Sequence, residues 1–285
     1  MVASPWPTVV ASRRVDAAPL RRLSRRSVLI RSALALPTRP PRPRSRGLTM
    51  VIDPGIGLGA FRDMLDSAGE LVDVVEFGWG TALATPRLEE KTRALREHDV
   101  PWYFGGTLFE KFLHQQEVPA YLDLVRRYGA GIVEVSNGTL PLPNTEKASW
   151  VRRLSGEFRV FSEVGSKDPA VNDAMSDADW VAFVEEDLEA GAEHVVTEAR
   201  ESGSTGVADA SGRPKDELIT AILDSVSADR MLFEAPTKVL ATYFITLVGP
   251  DVNLGNIAPS DLVGLETLRL GLRSDTFFAV DATDR

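Results

Sequence analysis

The 285-residue sequence contains no cysteine, which excludes disulfide bonds, zinc–thiolate sites, iron–sulfur clusters and thiol nucleophiles. It also lacks any run that approaches the roughly 18 apolar residues of a membrane span, so we expect no membrane partner. A chain without disulfide bonds is typical of a reducing compartment, and we expect the protein in the cytoplasm. Hydrophobic residues make up 44% of the chain, which is enough for a large buried core.

Charge is distributed unevenly along the chain. Residues 1–47 contain 11 arginines, no lysine and a single acid, Asp16, whereas the whole chain has a net charge of −9. The remaining residues are therefore strongly acidic, and nucleic acid is an unfavourable partner for them. An anion can bind such a protein only through local cations or a metal ion.

The arginine- and proline-rich start of the chain shows no clear hydrophobic period. We predict that residues 1–43 are a disordered extension, or the product of a start codon placed too far upstream, and that residues 44–285 form the folded catalytic domain. The stretch SRRSVLI (24–30) is weakly similar to a twin-arginine export signal, but Arg31 interrupts the apolar run. The stretch PRPRSRGLTM (41–50) leads into the first predicted strand and is a candidate to pack on the domain.

From residue 48 onward, short β-rich runs alternate with amphipathic helical stretches. The predicted strands lie in LTMVIDPG, DVVEFGWG, PWYFGGT, GIVEVSNG, RVFSEVG, HVVTEARES, RMLFEAP and VNLGNI. Eight βα units in about 230 residues indicate a TIM (β/α)8 barrel. An open doubly wound sheet is the alternative, although no G-x-G-x-x-G fingerprint follows the first strand.

The stretch SDADWVAFVEEDLEAG (176–191) is the clearest predicted helix. Ser176 can cap it together with Asp179, and Gly191 can end it. Its apolar face consists of Trp180, Phe183, Val184 and Leu188. A second predicted helix, TKVLATYFITLVG (237–249), either packs against the sheet or forms the interface of a homo-oligomer.

Several predicted strands end on charge. Active sites of this fold lie at the carboxyl ends of the strands, so we expect these residues to converge at one mouth of the barrel. They are Asp53, Glu134, Glu163, Glu198 and Glu234, with Lys167 and Arg200 nearby and with Asn253 and Asn256 after the eighth strand. Converging carboxylates repel one another unless a cation neutralises them, and oxygen-only ligands favour Mg²⁺ or Mn²⁺ over zinc. The alternative is that these residues pair as structural salt bridges around the rim.

Two glycine-rich turns also fall at strand ends. In FGWGT (77–81) and FGGT (104–107), the glycines can bring backbone amides close to an anion, and the threonines add a hydroxyl group. The residues concerned are Gly80, Thr81, Gly106 and Thr107. The polar loop SGSTGVADASGRPK (202–215) is either a mobile lid over the mouth or an inert insertion.

Together these stretches resemble the phosphosulfolactate synthase family from about residue 44 to residue 276. The blocks that carry the resemblance, in family order, are RGLTMVIDPG, FGWGTAL, GGTLFE, SEVGSKDP, DLEAGA, EARESG, FEAP, VNLGNI and LETLRLGLRSDT. The resemblance implies a Mg²⁺-dependent barrel enzyme that adds sulfite to phosphoenolpyruvate, gives 2-phospho-3-sulfolactate and opens one route to coenzyme M. The family is also similar to a plant heat-stress-associated protein, so a non-catalytic interaction protein is the rival interpretation.

For this reaction we assign Lys167 as the general acid that protonates C2. Arg200 is assigned as a clamp for a phosphate or sulfite group, and Glu163 completes the catalytic set. The candidate metal ligands are Asp53, Glu134, Glu198 and Glu234. The candidate substrate-binding residues are Glu76, Gly80, Thr81, Gly106, Thr107, Asn253 and Asn256.

Three positions depart from the pattern of the family. That pattern has a lysine before FGWGT, where this chain has Glu76. Replacing a cation by an anion about 4 Å from an anionic substrate changes the interaction by on the order of 4 kcal/mol per charge at an effective dielectric of about 20. Ser166 stands where a second lysine is expected, and Asn137 stands where aspartate is more frequent. A related enzyme with a different enol-phosphate substrate is therefore the second interpretation.

Overall fold

Eight parallel strands form a single sheet in the computed structural model, which describes residues 34–280. They are β1 (Thr49–Asp53), β2 (Val74–Phe77), β3 (Trp102–Phe104), β4 (Ile132–Val135), β5 (Arg159–Val164), β6 (His194–Thr197), β7 (Met231–Glu234) and β8 (Leu254–Ile257). Each strand lies in one of the eight predicted stretches. Most of the predicted extension, residues 1–33, lies outside the described residues.

Helices connect successive strands. They are α1 (Leu58–Ala68), α2 (Thr81–Ala84), α3 (Leu88–Glu97), α4 (Gly106–His114), α5 (Val118–Tyr128), α6 (Asn144–Leu154), α7 (Pro169–Ala174), α8 (Asp177–Ala190), α9 (Asp216–Ser225), α10 (Lys238–Val248) and α11 (Leu262–Arg269). The strand order is β3-β2-β1-β8-β7-β6-β5-β4, so the first and last strands of the chain are neighbours. β3 and β4, at the two ends of this order, contact each other. The sheet is therefore a nearly closed barrel, which confirms the predicted TIM fold.

The interior of the barrel has an apolar lower layer. It consists of Leu48, Met50, Val74, Tyr103, Ile132, Phe161, Val196 and Leu232, all buried in one cluster. Side chains that are two residues apart on a strand face the same way. The residue two positions after each member of this layer therefore faces the same interior, nearer the carboxyl ends of the strands.

The helix α8 begins and ends as its sequence predicts. The hydroxyl of Ser176 accepts a hydrogen bond from the Asp179 amide, the Asp179 carboxylate accepts one from the Ser176 amide, and Gly191 ends the helix in a left-handed conformation. Trp180 and Val184 are buried against the sheet. This confirms the predicted capping box and apolar face.

The helix α10 packs on the barrel, which is the first of the two alternatives that its sequence left open. Phe244 stacks on Phe233 of β7 with ring centroids 4.5 Å apart. Leu240, Ala241 and Ile245 are also buried. The aromatic residues of this helix therefore belong to the core.

Arginines of the segment before β1 pack at the amino end of the barrel. Arg44 Nη1 lies 2.9 Å from Asp73 Oδ1, and Arg39 Nε lies 3.1 Å from Glu266 Oε1. Arg42 donates hydrogen bonds to the carbonyls of Gly69 and Asp99. The stretch 41–50 thus packs on the domain, and so do two arginines that the sequence assigns to the extension.

None of the described helices is both long and apolar enough to cross a membrane.

Substitution of Asp73 tests the contribution of this amino-terminal segment. Asp73→Ala leaves the Arg44 guanidinium, with only 2% of its side chain exposed, buried without its carboxylate. We expect the free energy of unfolding to fall by about 3 kcal/mol, measured by urea denaturation. Glu90→Ala, which breaks the exposed pair of Arg87 and Glu90, is the control and is expected to leave the urea midpoint unchanged. Equal effects of the two substitutions would contradict a stabilising role for the segment.

Candidate active site

A pocket opens at the carboxyl ends of the strands. Its lining is Ile52, Glu76, Trp79, Gly106, Thr107, Glu134, Glu163, Lys167, Glu198, Arg200, Glu201, Glu234 and Asn256. Ten of these residues are among the predicted site residues, and the additions are Ile52, Trp79 and Glu201. The barrel therefore brings together side chains from the ends of seven different strands and from the loops that follow them.

Five glutamates form the upper interior layer. Each lies two residues after an apolar member of the lower layer, and the pairs are Val74 and Glu76, Ile132 and Glu134, Phe161 and Glu163, Val196 and Glu198, and Leu232 and Glu234. All five glutamates are buried, with at most 8% of each residue exposed. The repeated apolar-x-Glu spacing is thus the local cause of the acidic pocket.

Asp53 does not belong to this layer, which corrects its prediction as a metal ligand. Ile52 is the inward-facing residue of β1, so the next side chain turns toward the helices. The Asp53 carboxylate lies 2.5 Å from Lys91 Nζ of α3 and also accepts hydrogen bonds from the amides of Gly55 and Ile56. Only 1% of each partner's side chain in the Lys91–Asp53 pair is exposed.

Asn253 also lies away from the pocket, because it precedes β8 at the amino end of the barrel. Its side-chain oxygen accepts a hydrogen bond from the Leu48 amide, and its nitrogen donates to the carbonyls of Asp229 and Met231. Asn256, three residues later, does reach the pocket. The prediction of Asn253 as a substrate-binding residue is therefore corrected.

Gly80 and Thr81 do not line the pocket either. Gly80 is the N-cap of α2 and Thr81 is its first residue, and the Thr81 hydroxyl donates to the Asp53 carbonyl. The residue that this turn presents to the pocket is Trp79, which has a left-handed backbone with φ of 55°. Such a conformation is strained for a bulky residue, and strained residues of this kind cluster at functional sites.

The FGGT turn makes room for carboxylates. A Cβ on Gly105 would lie 2.3 Å from Glu76 Oε1, and a Cβ on Gly106 would lie 2.6 Å from Glu134 Oε1. The Gly106 amide donates to Glu134 over 3.0 Å. The two glycines therefore allow the backbone to approach Glu76 and Glu134. The Gly106 amide, which the sequence predicted to bind an anionic ligand, instead donates to the Glu134 side chain of the protein itself.

Lys167 is one of the two cations that line the pocket, with Arg200. Its Nζ lies 2.8 Å from Glu163 Oε1 and 2.6 Å from Glu198 Oε2. Burial by itself lowers the pKa of Lys167, but Glu163 and Glu198 raise it well above its ordinary value. Burial raises the pKa of Glu163, whereas the nearby Lys167 ammonium lowers it, and the result is about 2. Lys167 and Glu163 are therefore a charged pair at neutral pH.

The pKa values of the other four glutamates are raised, and Glu76, Glu134 and Glu234 favour their neutral forms, whereas Glu198 faces the Lys167 ammonium. Burial, together with neighbouring carboxylates, raises the pKa of Glu76 and of Glu234 to about 8 and raises those of Glu134 and Glu198 well above 4.5. Glu234 accepts hydrogen bonds from the Ala199 amide and the Asn256 side chain. The pocket is consequently much less negative at neutral pH than its composition suggests.

Arg200 lines the same pocket and is held by the neighbouring loop. Its Nη1 donates to the Lys167 carbonyl over 3.2 Å, and its amide donates to Glu198 over 2.7 Å. Within the described residues, Glu163 and Glu198 form ion pairs with Lys167. The alternative of a ring of paired structural charges thus accounts for Glu163 and Glu198 and leaves the other three glutamates unexplained.

The donor set is compatible with a magnesium ion held largely by water and substrate. Within residues 34–280, no three acidic or histidine side chains are grouped as a ready metal cage. Mg²⁺ commonly binds through one or two carboxylates and keeps several waters or substrate oxygens. Glu134, Glu198 and Glu234 offer oxygen ligands in the pocket, and a bound cation would compete with protons for these oxygens.

The long loop after β6 is folded back on the barrel. The Val207 amide donates to the Glu198 carbonyl, and the Asn172 side chain donates to Thr205. A Cβ on Gly206 would lie 1.7 Å from the Glu198 carbonyl oxygen. This close packing makes the start of the loop part of the pocket wall and disfavours a mobile lid.

Comparison with known proteins identifies the family. A sequence model described as (2R)-phospho-3-sulfolactate synthase (ComA) matches residues 37–275. The chain is 47% identical over 247 residues to the phosphosulfolactate synthase of Bacillus subtilis (strain 168), which covers 86% of this chain and 98% of that protein. The chain belongs to the phosphosulfolactate synthase family.

Other relatives agree with this placement. The phosphosulfolactate synthase of Methanothermobacter thermautotrophicus is 41% identical over 249 residues, covering 86% of this chain and 96% of that protein. Protein HEAT-STRESS-ASSOCIATED 32 of Arabidopsis thaliana is 22% identical over 259 residues, covering 81% and 88%. The structure of 3-hexulose-6-phosphate synthase from Salmonella typhimurium, 17% identical, has a TM-score of 0.50 and covers 78% and 98% of the two chains. This last likeness shows the barrel fold alone.

The raised pKa of Glu76 predicts a pH-dependent stability. The folded protein holds a proton on Glu76 up to about pH 8, whereas the unfolded chain releases it near the ordinary pKa of 4.5. The stability associated with this proton is present at low pH and is lost as the pH rises toward 8. We expect Glu76→Gln, which is neutral at every pH, to raise Tm at pH 8.5 by several degrees more than at pH 5.

The matched control for this measurement is Glu146→Gln on the exposed surface of α6. It is expected to change Tm equally at the two pH values. A Glu76→Gln effect that is also independent of pH would show that Glu76 is ionised in the folded protein.

Proposed function

We propose that this protein adds sulfite to phosphoenolpyruvate and forms 2-phospho-3-sulfolactate. The observation that supports this most directly is the half-buried Lys167 ammonium. It is held between Glu163 and Glu198 at the mouth of the barrel of a chain that belongs to the phosphosulfolactate synthase family. A cation at that place can stabilise an anionic transition state and can also deliver a proton.

The bond changes balance without a redox partner. The sulfur lone pair of sulfite attacks C3 of the enol phosphate and forms the C–S bond. The π electrons of the C2–C3 double bond move to C2 and the adjacent carboxylate. A proton added at C2 then completes 2-phospho-3-sulfolactate, and no group leaves.

Lys167 supplies that proton in our proposal. Its raised pKa keeps the ammonium protonated at neutral pH, and the carbanionic C2 is a much stronger base than an amine, so transfer is favourable. Glu163 holds the ammonium in place over 2.8 Å. Arg200 presents a guanidinium group to the same pocket, and its planar fork suits a phosphate or sulfite oxyanion.

We further propose that Mg²⁺ binds among Glu134, Glu198 and Glu234, together with water and substrate oxygens. When bound, the ion supplies positive charge against the carboxylate on which negative charge develops. The protein's own contribution is a water-poor pocket in which such charges interact strongly.

Substrate selectivity is expected to depend on Glu76. A lysine-to-glutamate difference at this position changes the charge by two units only if the glutamate is ionised, and burial raises the pKa of Glu76 to about 8. At neutral pH the difference is closer to one unit, so phosphoenolpyruvate remains the substrate that we favour. A different enol phosphate is the second candidate. A cytoplasmic location and a place on a route to coenzyme M remain predictions.

Phosphorus NMR tests the reaction directly. With phosphoenolpyruvate, sulfite and Mg²⁺, we expect a new phosphate-ester signal whose appearance requires all three components and the protein. Lys167→Met removes the proton donor and is expected to lower the rate at least about 100-fold. Glu146→Gln, on the exposed surface of α6, is the control and is expected to retain full activity. If the folded wild-type protein gives no product, the proposal fails and a different substrate or a non-catalytic role is favoured.

Ligand-dependent stability separates an enzyme from an interaction protein. A metal ion or substrate that binds only the folded state raises Tm in proportion to the logarithm of its concentration. We expect Mg²⁺ to raise Tm and phosphoenolpyruvate to raise it further when Mg²⁺ is present. Glu234→Gln should weaken the Mg²⁺ effect. Unchanged Tm values with both ligands would contradict a Mg²⁺-dependent site.

A further inference from the structure

The segment that carries Lys167, residues 165–168, is fixed on one side by Asn172 of α7. The Ser166 amide donates to Asn172 Oδ1 over 2.8 Å, and Asn172 Nδ2 donates back to the Ser166 carbonyl. The same nitrogen donates to the hydroxyl of Thr205 over 3.0 Å, in the loop after β6. Asn172 is 2% exposed, and its contact with Thr205 is buried.

The start of α7 sets the direction of this asparagine. Asp168 caps the helix by accepting a hydrogen bond from the Ala170 amide, and Pro169 occupies the first helical position. A cap followed by proline fixes where the helix begins. Asn172 then lies one turn after the cap and points back at the backbone of Ser166.

The loop after β4, residues 136–143, fixes the Lys167 segment on its other side. The Gly138 carbonyl accepts hydrogen bonds from the Lys167 amide over 2.8 Å and from the Ser166 hydroxyl over 3.2 Å. A Cβ on Gly138 would lie 3.3 Å from Lys167 Nζ. This loop is therefore a wall along the lysine side chain as well as an anchor for its backbone.

A buried carboxylate on α4 holds that loop in place. Glu110, 2% exposed, accepts hydrogen bonds from the amides of Thr139 over 2.8 Å and Leu140 over 2.6 Å, and from the hydroxyl of Ser136. Backbone amides that bind a carboxylate fix the local loop conformation strongly. Glu110 thus acts on Lys167 through Gly138, and its own side chain is not part of the pocket lining.

A lysine side chain has four flexible carbons, so the position of its ammonium depends on where its backbone is held. We infer that Asn172 and Glu110 are positioning residues for Lys167, Asn172 from the side of the β6 loop and Glu110 from the side of the β4 loop. This inference rests on the proposed role of Lys167 as the proton donor. A displacement of about 1 Å at a reacting group can cost roughly 100-fold in rate, so loss of either support is expected to lower kcat.

Asn172→Ala and Asn253→Ala form a matched pair of variants. Both asparagines are buried and make three hydrogen bonds through their side chains, but Asn253 lies at the amino end of the barrel. Both substitutions should lower the urea midpoint. Only Asn172→Ala should lower kcat, by 10- to 100-fold, with KM for phosphoenolpyruvate changed by less than about threefold. An equal loss of kcat in the two variants overturns the inference.

Glu110 provides its own rescue experiment. Glu110→Ala removes the acceptor of the Thr139 and Leu140 amides and is expected to lower kcat by a similar factor. Glu110→Gln keeps a carbonyl oxygen for these amides and a nitrogen that can donate to Ser136, so its kcat should stay within about threefold of wild type. If kcat of Glu110→Gln is as low as kcat of Glu110→Ala, the hydrogen bonds from Glu110 to the loop do not position Lys167, and the inference for Glu110 is rejected.

A spectroscopic measurement separates this inference from the proposed function. Reductive ¹³C-methylation labels Lys167, whose side chain is 26% exposed, and Lys167→Arg assigns its NMR signal. In Asn172→Ala and Glu110→Ala the signal should move toward that of free methylated lysine, and in Asn253→Ala it should not move. If the signal moves in these two variants while the wild-type protein forms no sulfolactate product, the positioning role is supported and the proposed reaction is rejected. An unmoved signal in both Asn172→Ala and Glu110→Ala rejects the positioning role whether or not the reaction occurs.

Discussion

The alternation of side chains along parallel strands is the constraint on which the site depends. Five strands carry an apolar residue in the lower interior layer and a glutamate two positions later, so both face the inside of the barrel. The apolar layer fills the barrel and excludes water from below. The glutamates above it therefore lie in a poorly hydrated pocket, where a charge is far more costly than at the surface.

This burial decides the electrostatics of the pocket. Carboxylates that are both desolvated and close together cannot all ionise, so most of them hold protons at neutral pH, while Glu163 is stabilised by Lys167. A pocket that is acidic in composition can therefore admit an anionic substrate. A divalent cation would compete with those protons for the same oxygens, which links metal binding to pH.

Two buried ion pairs hold the wall behind the pocket. Lys91 pairs with Asp53 between α3 and β1, and Lys147 pairs with Asp187 between α6 and α8, with Lys147 also donating to the Glu163 carbonyl over 2.7 Å. Buried pairs of this kind add little net stability relative to apolar packing, because desolvation offsets their attraction. Their effect is geometric, since each fixes the carboxyl end of a strand that contributes to the pocket.

The sequence by itself determined the eight βα units, the barrel, the capped helix α8, the family and ten residues of the pocket lining. These follow from local periodicity and from blocks of adjacent residues. The alternation of side chains along β1 also predicts that Ile52, and not Asp53, faces the interior. Asp53 is one residue out of phase with the apolar-x-Glu spacing of the other strands. Asn253 could have been placed in the same way, since it precedes its strand.

Only the tertiary structure decided which charges meet and which carry protons. The bonds from Lys167 to Glu163 and Glu198 join residues from two strand ends, and the supports from Asn172 and Glu110 cross between three loops and two helices. Such contacts depend on distances between segments that are far apart in the chain. Burial, which sets the pKa values, is likewise a property of the assembled barrel, so no local pattern in the sequence specifies it.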